Sequence, residues 1–87
     1  MQIDFTIHLW REDDQYIAHA LPIDVISAGA TVQTARDAVD EAVRAFIKTA
    51  EEIGTLDQVM EECGYSKSGG RWIAPDWIGV ERHAVAV

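Results

Sequence analysis

The sequence predicts an α+β fold, in which a three-stranded antiparallel sheet packs against one long helix and a short second helix follows. The first 30 residues contain short runs typical of strands, separated by polar or proline-containing breaks. Residues 31–53 then carry apolar side chains at steps of three and four, which is the period of a helix. A chain of 87 residues is expected to form a single domain, residues 1–87, with its core within about residues 3–65.

The first two strands are expected to form a β-hairpin. Apolar residues alternate with polar ones in Ile3–Leu9, and Tyr16–Leu21 is a second strand-like run. The polar residues between the two runs suit a turn, and a two-residue loop at Asp13 and Asp14 would fix the register. In that register the opposite residues are His8 with His19, Trp10 with Ile17, and Glu12 with Gln15.

A third strand and the long helix follow. The segment Val25–Ala30 is typical of a short strand. Thr31 is expected to be the helix N-cap because its hydroxyl can accept a hydrogen bond from a free backbone N–H, and Gly54 is expected to end the helix. The predicted apolar stripe consists of Val32, Ala35, Val39, Ala42, Phe46, Ala50 and Ile53.

The rest of the chain is predicted to be less regular. Thr55 followed by Gln58 is a capping-box pattern, which predicts a short helix that extends to Cys63. Residues 66–87 are expected to be a connector, flexible over 66–70, and a C-terminal segment. Val85 and Val87 suggest an added strand near the end of that segment.

The charge balance bears on the class of partner. Fifteen acidic and seven basic side chains give a formal net charge of -8. Such a chain repels nucleic acid on average, because nucleic acid is a polyanion that attracts clustered Lys and Arg. The charge instead favours a basic protein partner.

Cysteine usage and the N-terminus bear on localisation. The single cysteine, Cys63, cannot form an internal disulfide, which favours a reducing compartment. The first residues lack the basic stretch and apolar run of a secretory signal, and no apolar run is long enough to cross a membrane. We therefore expect a cytoplasmic protein with no membrane span.

Small, turn and apolar residues recur at particular spacings over about residues 3–65. They are Tyr16-Ile17-Ala18, Leu21, Asp24–Ser27, Gly29–Thr31, Ala35, Glu41-Ala42, Gly54-Thr55-Leu56, Val59 and Cys63–Tyr65. In this spacing the chain resembles the N-terminal domain of HicB-type antitoxins. The family often has Glu three residues after the threonine that begins the long helix. This chain has Thr34 there, so a weaker capping box is expected.

The resemblance implies a HicB-like fold, similar to a reduced ribonuclease H-like fold. It implies a protein that binds and occludes a small basic HicA-type toxin, an mRNA-cleaving ribonuclease, and that forms a homodimer or homotetramer without catalysis of its own. Many family members also carry a C-terminal DNA-binding domain. The segment after residue 65 is too short for a helix-turn-helix domain and holds only Lys67, Arg71 and Arg82 as basic residues, so direct DNA binding is not expected.

The predicted partner-binding residues lie on the hairpin. In the proposed register Trp10 lies beside Ile17 and His19, on the sheet face opposite Ile7 and Leu9. A second apolar face on a small domain is typical of an interface. The neighbouring acids either mimic phosphate charge toward a basic toxin or form an ordinary solvated turn. The full set is Trp10, Glu12, Asp13, Asp14, Ile17 and His19.

No catalytic, cofactor-binding or metal-binding residues are expected. His8 and His19 are two imidazoles on neighbouring strands, but a zinc or nickel site needs further ligands. Cys63 is interpreted as a packing residue, because the acids beside it and the end of its helix both disfavour a thiolate.

Two alternatives to the antitoxin function remain open. One is an orphan, self-associating binding module that has lost its toxin. The other is a weak metal-dependent hydrolase, for which the candidate carboxylates are Asp4, Asp37, Asp40 and Glu41. The spacing of the three helix acids is also typical of a solvated helix face.

Overall fold

Three antiparallel strands and a long helix form the main layer pair, in a computed structural model that describes residues 1–87. The elements in chain order are β1 (Gln2–Ile3), β2 (Thr6–Glu12), β3 (Gln15–Leu21), β4 (Val25–Gly29), α1 (Val32–Glu52), α2 (Leu56–Glu62), β5 (Ser66–Ser68) and β6 (Arg71–Ile73). One sheet has the order β2-β3-β4, and a small second sheet has the order β1-β6-β5. The predicted α+β fold is confirmed.

The predicted hairpin register is also confirmed. His8 lies opposite His19 and Trp10 lies opposite Ile17. The loop is the two residues after Glu12, and Asp13 adopts a φ of 53°, a left-handed conformation that Asp tolerates better than most residues. Because side chains alternate between the faces of a strand, this register decides which residues the helix can cover.

The start of α1 is better capped than its sequence predicts. The Thr31 hydroxyl accepts from the Thr34 backbone N–H at 3.0 Å, and the Thr34 hydroxyl accepts from the Thr31 N–H at 2.9 Å. The expectation of a weaker capping box is therefore wrong, since threonine at this position performs the reciprocal bond usually made by Glu or Gln.

Helix α1 packs across β3 and β4 on one face of the sheet, which we call the closed face. Ala18 and Ala20 of β3 are fully buried there, against Ala35 and Val39 of the helix. Small side chains on both sides allow the two layers to approach closely. The remaining buried positions of α1 are Val43 and Ala50.

The predicted apolar stripe of α1 is only partly buried. Val32 and Phe46 are each 38% exposed, and Ile53 is 68% exposed. A 21-residue helix is about 31 Å long. Strands of five to seven residues span roughly 17–23 Å. The sheet is therefore too short to cover the whole stripe.

Helix α2 completes one end of the core with Leu56 and Met60. The predicted capping box at Thr55 is wrong, because its hydroxyl donates back to the Ala50 carbonyl at 3.5 Å and makes no cap bond. Gly64 follows the helix with a φ of 91°, which ends it directly after the predicted last residue, Cys63.

The chain remains structured beyond residue 65. The predicted flexible connector instead contains β5, which pairs with β6, while β6 runs parallel to β1. Trp72 of β6 is 1% exposed and belongs to the hydrophobic core, so the core extends past the predicted boundary. Gly69, with a φ of 60°, supplies the tight turn between the two strands.

Residues 74–87 form neither helix nor strand. The strand suggested by Val85 and Val87 is therefore absent, and the added C-terminal strand lies earlier, at β6. Neither helix combines the length and the apolar character that a bilayer crossing requires.

Candidate functional site

The sheet face turned away from α1 carries large side chains that no element of the chain covers. We call it the open face. Alternation along the strands places His8, Trp10, Ile17, His19, Ile26 and Ala28 on this face. Trp10 is 38% exposed and Ile26 is 57% exposed. From outside the sheet, the Trp77 ring packs against His8 on this face, while Trp10 and Ile26 remain exposed.

Two edge-to-face aromatic pairs lie on the open face. His8 and His19 are opposite each other on neighbouring strands. The Trp77 ring meets His8 edge-on with centroids 4.7 Å apart, and Trp10 meets His19 edge-on at 6.2 Å. Edge-to-face contacts of this kind hold rings in fixed orientations. The two pairs therefore give the open face aromatic rings in defined orientations.

The connection between β3 and β4 fixes the position of His19. Its Nε2 lies 2.6 Å from the Asp24 Oδ1. Asp24 adopts a φ of 65°, and its backbone N–H donates to the Ala20 carbonyl at 2.9 Å. The carboxylate thus orients the imidazole at one end of the open face.

Carboxylates gather at the opposite end, at the tip of the hairpin. The Trp10 Nε1 donates to the Glu12 Oε1 at 2.9 Å, which fixes the indole against the strand. Asp13 and Asp14 are exposed and take part in no hydrogen bond or ion pair within the chain. We call Glu12, Asp13 and Asp14 the acidic tip, and two of its three carboxylates are free to face an incoming cation.

The six predicted partner-binding residues form one continuous region. Trp10, Ile17 and His19 lie on the open face, and the acidic tip adjoins them through the bond between Trp10 and Glu12. The predicted partner-binding set did not include Ile26 or Trp77. Alternation within β4 was a sufficient signal for Ile26, whereas Trp77 reaches His8 from 69 positions along the chain and left no local signal.

Two of the carboxylates considered for a hydrolase are paired with arginines. The Asp4 carboxylate accepts from the Arg71 Nη2 at 2.9 Å. Asp40 pairs with Arg44 one helical turn later at 3.5 Å. No group of three or more His, Cys, Asp or Glu side chains is arranged to hold a metal ion.

Two further titratable groups lie between α2 and β5. Burial, with the carboxylates of Glu62 and Asp24, raises the pKa of Cys63, so the thiol is held in its neutral form. Burial, followed by Cys63 and Asp4, raises the pKa of Tyr65 to about 12. The Tyr65 hydroxyl donates to the Asp4 carbonyl at 2.7 Å, which ties β5 to the segment after β1.

No protein-family model matches the chain, and no curated protein and no solved structure was found to match it. The resemblance to HicB-type antitoxins therefore rests on the residues of the sequence. The case for a binding surface rests on the open face and the acidic tip.

Proposed function

We propose that this protein is a cytoplasmic, HicB-like antitoxin domain that binds a small basic HicA-type toxin through the open face and the acidic tip. The observation that carries the proposal is the juxtaposition of exposed aromatic and aliphatic side chains with free carboxylates on one three-stranded sheet. The protein performs no chemistry in this mechanism, because covering the toxin's RNA-cleaving surface is sufficient to inhibit it.

The open face supplies the affinity. Trp10, Ile26 and Trp77 are large side chains whose removal from water would stabilise a complex. Tryptophan is enriched among the residues that contribute most to binding. Because the rings are already held in place, little conformational entropy is lost when a partner docks.

The net negative charge accelerates association and favours a basic partner. A net charge of -8 attracts a basic protein over long range, and the carboxylates of Asp13 and Asp14 focus that attraction at the hairpin tip. An RNA-cleaving toxin must hold a polyanion, so its active surface is itself basic. The acidic tip is therefore complementary to the surface that must be blocked.

Affinity purification of the tagged protein from its native host, followed by mass spectrometry, identifies the companion. The proposal predicts a small, basic protein in stoichiometric amount. Purified, that companion should cleave RNA alone and stop cleaving when this protein is added. Recovery of the protein by itself would contradict the proposal and favour the orphan, self-associating module.

The acidic tip is tested by charge reversal. The double variant Asp13→Lys, Asp14→Lys should slow association with the companion by about tenfold at low salt and weaken its salt dependence. Stopped-flow association measured over a range of salt concentrations gives both quantities. The matched control is Glu51→Lys, Glu52→Lys, two exposed acids at the end of α1. Equal rates for the two double variants would remove the tip from the interface.

A further inference from the structure

The segment Ile78–Val87 is an apolar stretch that the chain leaves unpacked. Its large residues are almost fully exposed, with Ile78 at 101% and Val87 at 122%. No backbone–backbone hydrogen bond involves residues 74–87. The hydrogen bond of this segment is a local one, between His83 Nε2 and Glu81 Oε1 at 2.9 Å. A β-branched, apolar sequence of this kind is suited to a strand but has no strand to pair with.

The whole-molecule dimensions show how much surface this arrangement leaves exposed. The accessible surface is 6374 Å², whereas a compact monomer of 9.7 kDa would have about 5,100 Å². The radius of gyration is 14.9 Å, against about 12 Å for a compact chain of this length. Each chain therefore exposes roughly 1,300 Å² more than a compact monomer does.

The outer edge of β2 is a second unpaired element. This strand pairs with β3 alone. In a hairpin with a two-residue loop, the residues that exchange hydrogen bonds with β3 are the even-numbered ones, beginning with Glu12 opposite Gln15. The N–H and C=O groups of Ile7, Leu9 and Arg11 consequently point outward along a free edge, and such an edge is a ready template for another strand.

The unpaired segment leaves the domain beside this edge. Trp77, the residue before the segment, packs its ring 4.7 Å from that of His8 on β2. The strand β6 ends at Ile73, and Pro75 follows without an N–H to donate, which interrupts regular pairing along the chain's own sheet. The segment and the edge are therefore adjacent but unpaired within one chain.

We propose that Ile78–Val87 of each copy pairs as a strand with the free edge of β2 in a second copy, forming a reciprocal strand-exchanged dimer. Each chain contains both the unpaired segment and the free edge, so a two-fold symmetric dimer would form this strand pairing twice. The excess surface of two chains, about 2,600 Å², exceeds the roughly 1,200–2,000 Å² that a stable interface buries.

The charge of the segment itself does not oppose a second copy as the occupant. Within the segment Glu81 and Arg82 cancel, so it can cross to an acidic neighbour without adding repulsion. A basic partner would instead be selected by the acidic tip. The exchange concerns the assembly of this chain with itself and does not depend on the proposed toxin.

The test compares the molar mass of the intact chain with that of a chain ending at Trp77, by light scattering after size exclusion. The intact chain should have twice the 9.7 kDa mass, and the truncated chain should be a monomer. Val80→Pro, which removes an N–H and breaks strand geometry, should also give a monomer. The matched control Val80→Thr keeps both features and should remain dimeric.

Hydrogen exchange locates the contact. The amides of Ile7, Leu9 and Arg11 should exchange more slowly in the intact chain than in the truncated one, whereas those of His8 and Trp10 should be equal in both. A monomeric intact chain, or a truncated chain that stays dimeric, would overturn the proposal. If the truncated monomer still neutralises the companion, the proposed function stands separately from this one.

Discussion

The two faces of the β2-β3-β4 sheet are made from alternate residues of the same strands, yet they differ in size and burial. On the closed face, Ala18 and Ala20 have no exposed surface. On the open face, the neighbouring residues in β3 are Ile17 and His19, both larger and only partly buried. At the middle of β3, small residues face the helix and larger ones face outward, which reverses what burial in an isolated domain would favour there.

We expect the closed face to determine the stability of the fold and the open face to determine binding. The closed face stabilises the fold through close packing. Helix α1 can approach the backbone of β3 and β4 only where the side chains between them are small. The open face leaves Trp10 and Ile26 exposed, and in the proposed function these side chains contact the partner. Substitutions on the two faces should therefore affect different measurements.

The largest effect on stability is expected at Gly29, where β4 meets the start of α1. A Cβ at this position would lie 2.6 Å from the Ala35 backbone nitrogen and 2.8 Å from the Thr34 carbonyl carbon. Because both atoms belong to the backbone, the helix must shift, and Gly29→Ala should cost about 1–3 kcal/mol of unfolding free energy.

Urea unfolding measures this cost. Gly70→Ala is the matched control, since a Cβ there meets nothing within 4 Å, and it should change the unfolding free energy by less than about 0.5 kcal/mol. Equal stabilities for the two variants would mean that the helix does not approach β4 as closely as described.

A smaller effect, dependent on pH, is expected at Tyr65. Its pKa is raised from 10.0 to about 12 in the fold. Below pH 10 the group is protonated in both states and its stabilisation is complete. Between pH 10 and 12 the unfolded chain releases the proton while the folded chain keeps it, so stability is lost as the pH rises.

Tyr65→Phe should remove this alkaline loss and cost about 1 kcal/mol at neutral pH, through the hydrogen bond to the Asp4 carbonyl. Unfolding midpoints measured from pH 8 to 12 give both quantities. Tyr16→Phe, which removes a hydroxyl with no hydrogen-bond partner in the chain, should retain the alkaline loss. An unchanged slope in Tyr65→Phe would assign the loss to other groups.

The sequence was sufficient where the structure depends on local patterns. The hairpin register follows from the length of one loop, and that register predicted the cluster of Trp10, Ile17 and His19. The ends of α1 follow from Thr31 and Gly54, whose chemistry is local.

The sequence was insufficient where contacts are distant along the chain. Pairing between β1 and β6 joins residues about 70 positions apart, so nothing near Trp72 distinguished a core residue from an exposed one. The contact of Trp77 with His8 is of the same kind. Phe46 is the opposite case. The helical period places it on the apolar stripe, but the sheet does not extend far enough to cover it.

The smallest effect on stability is expected on the open face. Ile26 is 57% exposed and lies at the outer strand of the sheet, so Ile26→Ala should lower the unfolding free energy by less than about 1 kcal/mol. The same residue should matter far more once a partner is bound, because it then becomes buried.

Binding of the proposed RNA-cleaving companion by Ile26→Lys, measured by titration calorimetry beside the wild type, tests the central claim most directly. We expect the variant to keep its fold, shown by an unchanged circular dichroism spectrum, and to lose at least tenfold in affinity, about 1.4 kcal/mol. The matched control is Ile53→Lys, an exposed isoleucine at the end of α1, which should bind normally. Full affinity in Ile26→Lys would contradict the assignment of the open face as the binding surface.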